Sequence, residues 1–277
     1  MLQHLGKAIE ERTRALVTRL PGALAGDVED AHRARVAARR LAEVLPLLRG
    51  RRAERLRADV RQVRQALGAR RELAVTLDLL AEEAGRWRWP ASLVVRVSRH
   101  LEAARPKIEA DTRKAARSID IERLRGRLDR VSRLAAAESY PQLMKRLRVR
   151  RDARERALTR AVANAGSIYD ADRLHRVRIA TKKLRYVLEA QVACADRGPA
   201  ARIRRLKTLQ EELGRLHDLQ VLETVVREVE ERFVSGRGVV ARGLARIGTD
   251  LETECRRLHA LALTAMRRVG GASSRHR

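Results

Sequence analysis

The sequence predicts an all-α protein: two four-helix bundles related by a pseudo-twofold axis, with a short connecting helix. Three observations predict it. Apolar residues recur at i, i+3 and i+4 almost throughout, and alternating β-branched runs do not occur. Aromatic residues make up only 2% of the chain, so the core must be mostly Leu, Val and Ala, the residues of closely packed helices. Two helix-length patterns also occur twice, in the same order, which suggests duplication of a bundle.

Proline and glycine punctuate the series. Leu2–Leu20 reads as a first helix, stopped at Pro21-Gly22. Val28–Leu48 is the second, with Asp27 as N-cap, Pro46 in its last turn and Gly50 beyond its end. Arg52–Ala84 is a long third helix closed by Gly85, with Trp87 and Trp89 in the turn before Pro90. Ser92–Arg117 is the fourth, bent at Pro106. Ile121–Ala137 is the connector, carrying an interior Gly126. Tyr140-Pro141 then restarts the series. Gln142–Asn164 ends near Gly166, Ala171–Ala193 ends before Gly198-Pro199, Ala201–Val234 ends before Gly236 to Gly238, and Val239–Val269 is last. Gly270–Arg277 reads as a frayed tail. The halves are 1–138 and 139–277, together one domain.

The repeat is carried by the second and third helices of each half. His32, Arg35, Ala37, Leu41, Val44 and Leu45 match His175, Arg178, Ala180, Leu184, Val187 and Leu188 at a shift of 143 residues. Arg39 and Arg40 match Lys182 and Lys183, so charge is kept where identity is not. In the long helices Leu67-Gly68-x-x-Arg71-Glu72-Leu73-x-Val75 matches Leu213-Gly214-x-x-His217-Asp218-Leu219-x-Val221 at a shift of 146. Arg61 faces Lys207 there, and Arg64 faces Gln210.

The formal charge is +27, from 62 Lys and Arg against 35 Asp and Glu. Charge of that size favours polyanionic partners. The periodic apolar positions, with 44% hydrophobic residues, exclude a disordered basic chain. Cys194 and Cys255 fit neither a disulfide framework nor a zinc motif and read as small residues on helices. No apolar run approaches the ~18–20 residues that span a membrane, and the amphipathic N-terminus lacks a signal-peptide core. The expected location is the cytoplasm.

His175, Arg178, Lys182 and Arg185 stand at i, i+3, i+7 and i+10 and stay on one side of a helix. Arg offers planar, bidentate donors to phosphate oxygens, and Lys a mobile point charge. Two such helices side by side would form a cationic groove in which a phosphate-rich chain could lie. A single basic face is ordinarily a solvated one. Its recurrence, with a histidine at the same place, favours an anion site. His32 and His175 have no second ligand at i+4 and have Arg nearby, which argues against metal. Gly68 and Gly214 predict a close approach, of another helix in the first instance or else of a ligand. Glu72 and Asp218 read as partners for Arg. No nucleophile elbow, P-loop or dinucleotide fingerprint is present, so neither a catalytic residue nor a cofactor is expected.

These two motifs, His-x-x-Arg-x-x-x-[Arg/Lys]-[Arg/Lys]-Leu and Leu-Gly-x-x-[Arg/Asn]-Asp, resemble the CHAD domain, the conserved histidine α-helical domain, over roughly Leu2 to Val269. The resemblance implies two four-helix bundles about a pseudo-twofold axis, and binding of inorganic polyphosphate in a basic groove or pore. It implies contacts from His32, Arg35, Arg39 and Arg40 in the first half and His175, Arg178, Lys182, Lys183 and Arg185 in the second. Arg61, Arg64, Arg71, Lys207 and His217, from the second repeat, complete the expected set. The sequence departs from the family pattern at Ala42, where Arg185 stands in the other half, at Glu72 and Ala74, and at His217, where asparagine is common. Many relatives carry a fused triphosphate-cleaving domain. Its Glu-x-Glu-x-Lys signature is not found here, so that activity is not implied.

The expected function is polyphosphate binding without catalysis, as a targeting module for polyphosphate granules. Protein partners stay unspecified. The rival reading is a nucleic-acid-binding helical protein, disfavoured by scarce stacking aromatics and by cations set in a groove instead of on a protruding helix. A polyphosphate-processing enzyme is a weaker rival, since no carboxylates cluster for Mg²⁺.

Overall fold

The computed structural model describes residues 3–136, 139–195, 199–233 and 238–270. Among them the chain is all-helical, with eleven α-helices, one 3-10 turn and no strand. In order they are α1 (Gln3–Ala25), α2 (Val28–Val44), the 3-10 turn Leu45–Leu47, α3 (Arg51–Ala66), α4 (Gly68–Trp87), α5 (Ala91–Ala103) and α6 (Arg105–Arg117). There follow α7 (Ile121–Ala136), α8 (Tyr140–Ala165), α9 (Ala171–Ala195), α10 (Ala200–Glu231) and α11 (Val239–Gly270). Leu2, Ala137, Gly198, Val234, Gly236 and the tail beyond Gly270, all given a place in the sequence reading, lie outside the described residues.

Three expected boundaries are corrected. The first helix runs through Pro21 and Gly22 and ends at Gly26, whose φ of +115° only glycine adopts freely. Gly22 is needed for space instead: a Cβ there would strike the Asp30 carboxylate, which is held by Arg19 at 2.9 Å. The long third helix is broken at Leu67, giving α3 and α4, and α4 runs on through Gly85 to Trp87 instead of closing at Ala84. The fourth is broken at Ala104, and Pro106 sits in the first turn of α6, where it lacks no hydrogen bond. The Asp27 cap is as expected, its carboxylate accepting from the Asp30 amide at 2.6 Å.

The chain divides into two compact units of three segments each. Unit 1 is Met1–Arg71, Ile108–Leu158 and Lys182–Ile203; unit 2 is Glu72–Lys107, Thr159–Thr181 and Arg204–Arg277. In unit 1, α1 packs along α2 and α7, and α3 packs on α2 and α7. Ala34 and Ala38 bring α2 close to its neighbours, while Leu16, Leu20, Leu41, Leu56 and Leu128 fill the core. Each such leucine contributes about 1.5–3 kcal/mol on leaving water. The chain reverses after α2 at Gly50, φ +96°. Arg57 seals that reversal by donating to the carbonyls of Leu45 at 3.2 Å and Leu48 at 2.9 Å.

In unit 2, α10 buries Leu206, Leu209, Leu213, Leu216, Leu219 and Leu222 along one stripe. α5 packs on α11 where Gly243 admits Leu93. Buried acids hold the rest together. Glu83, with no exposed surface, accepts from Trp87 at 3.0 Å and from Arg215. Glu254 accepts from Arg86 and Arg257, and Trp89 donates to Asp250 at 2.9 Å. Cys255 is buried in α11, and burial pushes its thiol up to about 11. Among the described residues, no helix is long and apolar enough to cross a membrane.

Candidate functional site: a cationic surface in each unit

In unit 1 the repeated motifs meet at the α3–α4 break. Arg35 lies half-buried on α2 and its Nη1 donates to the carbonyls of Leu67 and Gly68, 3.1 Å each. The Arg35 guanidinium thereby ties α2 to the break between α3 and α4. Gly68 thus marks a junction between helices. A Cβ added there meets nothing within 4 Å, and the same holds at Gly214 inside α10. The close helix approach expected at these glycines is therefore corrected: both face open space.

On the exposed side of α2, His32, Arg33 and Arg40 line a cleft of about 470 Å³ with Arg12 of α1. Glu11 is the acid on its rim. Arg40 also approaches Glu189 of α9 at 3.5 Å, and Arg185 donates to the same carboxylate at 2.5 Å while lying over the Tyr186 ring. Arg185 is consequently a braced, largely buried cation, 13% exposed. Lys182 and Lys183 are half-buried one turn earlier on α9.

A second acid organises the neighbouring cations. Glu43 of α2 is buried and accepts from Arg150 at 2.8 Å and from Arg154 at 3.0 Å, both on α8. Arg64 of α3 feels Glu43 too, and its guanidinium is held below the ordinary value. Loss of hydration is the larger cause although part of the side chain reaches solvent; the like charges of Arg39 and Arg61 add to it. Arg39, Arg61 and Arg64 thus share one field. Arg71 is half-buried in the first turn of α4.

In unit 2 the second copies of the motifs meet directly. His175 of α9 faces His217 of α10, ring centroids 4.8 Å apart, and Arg178 reaches toward Asp218 at 3.9 Å. The expected Asp218–Arg pairing is present; for Glu72 the structure gives only an exposed position on α4. Lys207 is exposed beside Glu211, at 3.7 Å, about 15 Å of helix before His217.

Sequence reasoning missed Arg12, Arg33, Glu43, Glu189 and the α8 arginines. Glu189 was within reach as the i+4 partner of Arg185. The Glu43 contacts join positions more than a hundred residues apart, which no local pattern announces.

The family profile of the CHAD domain matches residues 7–227, a span that contains both copies of both motifs. The chain belongs to the CHAD domain family. The CHAD fold is also found in two similar solved structures. One is the CHAD domain from the plant Ricinus communis, 20% identical with a TM-score of 0.67, the alignment covering 98% of this chain and 92% of that one. The other is PptA from Streptomyces chartreusis, 18% identical with a TM-score of 0.66, covering 97% and 98%. Identity this low speaks for the fold alone. A search of curated proteins finds no match.

Proposed function

We propose that this CHAD domain binds inorganic polyphosphate through the cationic surfaces of both units and carries out no reaction on it. The observation that carries the reading is the cleft of α1 and α2, lined by His32, Arg33, Arg40 and Arg12 with Glu11, where Arg33 is also paired to Glu29 and Arg40 to Glu189. Guanidinium groups carried on helices offer planar, bidentate donors suited to phosphate oxygens. No Phe, Tyr or Trp lines that cleft among the described residues, so it favours a bare phosphate chain over a stacked base. Family membership supports the same reading, since CHAD domains are associated with polyphosphate. Recruitment to polyphosphate granules is the cellular role that follows.

The test titrates long-chain polyphosphate and duplex DNA of equal charge against the protein at one salt concentration, with phosphate release followed in parallel. Polyphosphate is expected to bind more tightly, with affinity falling steeply with salt and without release of phosphate. Equal affinity for DNA would favour the nucleic-acid reading, and steady release would favour an enzyme.

A further inference from the structure

The basic helix α8 takes no part in either repeated motif. Lys145, Arg146, Val149, Arg150 and Arg154 nevertheless stand on one face of it, at i, i+1, i+4, i+5 and i+9. Opposite them lies the reversal after α2, with Pro46, Leu47 and Arg49. Between the two is an open cleft of about 800 Å³, a size ordinary for a ligand site. Five cations line it, Arg49, Lys145, Arg146, Arg150 and Arg154, with no carboxylate and no aromatic ring among the described residues.

Such a cluster is costly without a counter-ion. For Arg150 and Arg154 the fold supplies the buried carboxylate of Glu43, shared between them at 2.8 and 3.0 Å. Burial lowers the Arg150 guanidinium, with Arg154 and Arg57 adding like-charge repulsion against the pull of Glu43. Two guanidiniums sharing one carboxylate, with Arg49 and Lys145 lining the same cleft, leave a local excess of positive charge.

Glu43 also ties this cleft to the motif cations. It influences Arg64, which lies in the field of Arg39 and Arg61. The charge of Glu43 is thus felt both by the cleft arginines, which bond to it, and by Arg64 on α3.

We infer that the cleft between α8 and the Pro46–Arg49 turn is a second phosphate-binding station in unit 1, occupied by the part of a polyphosphate chain that runs beyond the motif face. Glu43 serves as the internal counter-ion that holds the cluster together until phosphate supplies the charge. This rests on the polyphosphate reading above and extends it to residues outside the motifs. A nucleotide is the poorer occupant, because the cleft offers no ring to stack a base.

The test uses Arg49→Ala/Lys145→Ala, both exposed and removable without disturbing the core. It is compared with Arg39→Ala/Arg40→Ala on the motif face, and with Arg267→Ala/Arg268→Ala, an equal charge change at the exposed end of α11. Long-chain polyphosphate is titrated at several salt concentrations. The cleft variant is expected to bind about tenfold more weakly than wild type. Its slope of log affinity against log salt should shrink by about 1–2, one lost contact per cation. The α11 variant should bind within about threefold of wild type. If the cleft variant matches the α11 variant while the motif variant weakens, the second station is wrong and the polyphosphate reading stands. If wild type prefers DNA or binds neither polymer, both are wrong.

Discussion

His175 and His217 face each other across α9 and α10 with their rings 4.8 Å apart and inclined by 51°. Arg178 lies about one turn further along α9, and its partner Asp218 directly follows His217 on α10. Both histidines stand on the repeated motifs, so His175→Gln/His217→Gln is expected to weaken polyphosphate binding several-fold while helix content stays unchanged. Binding titrations beside circular dichroism check this, and a variant that binds like wild type would place the phosphate contacts elsewhere.

Arg35 and Arg39 should separate stability from binding. Arg35 satisfies the Leu67 and Gly68 carbonyls, and hydrogen bonds from a charged donor are worth about 1.5–3 kcal/mol. Arg35→Ala is expected to lower unfolding stability by about that much. Arg39→Ala should change stability by less than about 0.5 kcal/mol while weakening polyphosphate binding several-fold. Urea unfolding beside binding titrations measures both, and equal stability losses would contradict the assignment.

Gly214 lies beside the apolar stripe of α10, next to Leu213, and faces open space. Gly214→Ala should therefore stabilise the free protein by up to about 1 kcal/mol. If the space serves a close-approaching phosphate chain, the same change weakens polyphosphate binding. A thermal midpoint that drops on substitution would mean that the position is packed after all.

Glu254 gives unit 2 an acid limit. The hydrogen bond from Arg257, reinforced by Arg86, lowers its carboxyl to about 2. A carboxyl depressed in the folded state stabilises above its unfolded pKa and loses that stabilisation as pH falls through the folded value. Stability from this residue should be complete above about pH 4.5 and fade toward pH 2. Glu254→Gln should reduce the difference in thermal midpoint between pH 5 and pH 2.5. An unchanged difference would place the acid sensitivity elsewhere, for example at the Glu83–Arg215 contact.

The sequence by itself determined the helices, their order and the two repeated cationic motifs, because these depend on spacing along one chain. Apolar residues at helical intervals must share a face, whatever that face meets. The Arg35 junction is different. Leu67-Gly68 carries no strong local stop, and the break between α3 and α4 coincides with a guanidinium supplied by α2. Pro21 shows the converse: it reads as a stop, yet α1 runs on to Gly26. Which cations stand free and which are braced was decided by the tertiary structure alone. Arg185 and Arg40 share Glu189, and Arg150 and Arg154 converge on Glu43, because packing brings distant helices within ion-pair reach. Coulomb attraction depends on distance in space, and sequence separation carries no information about it.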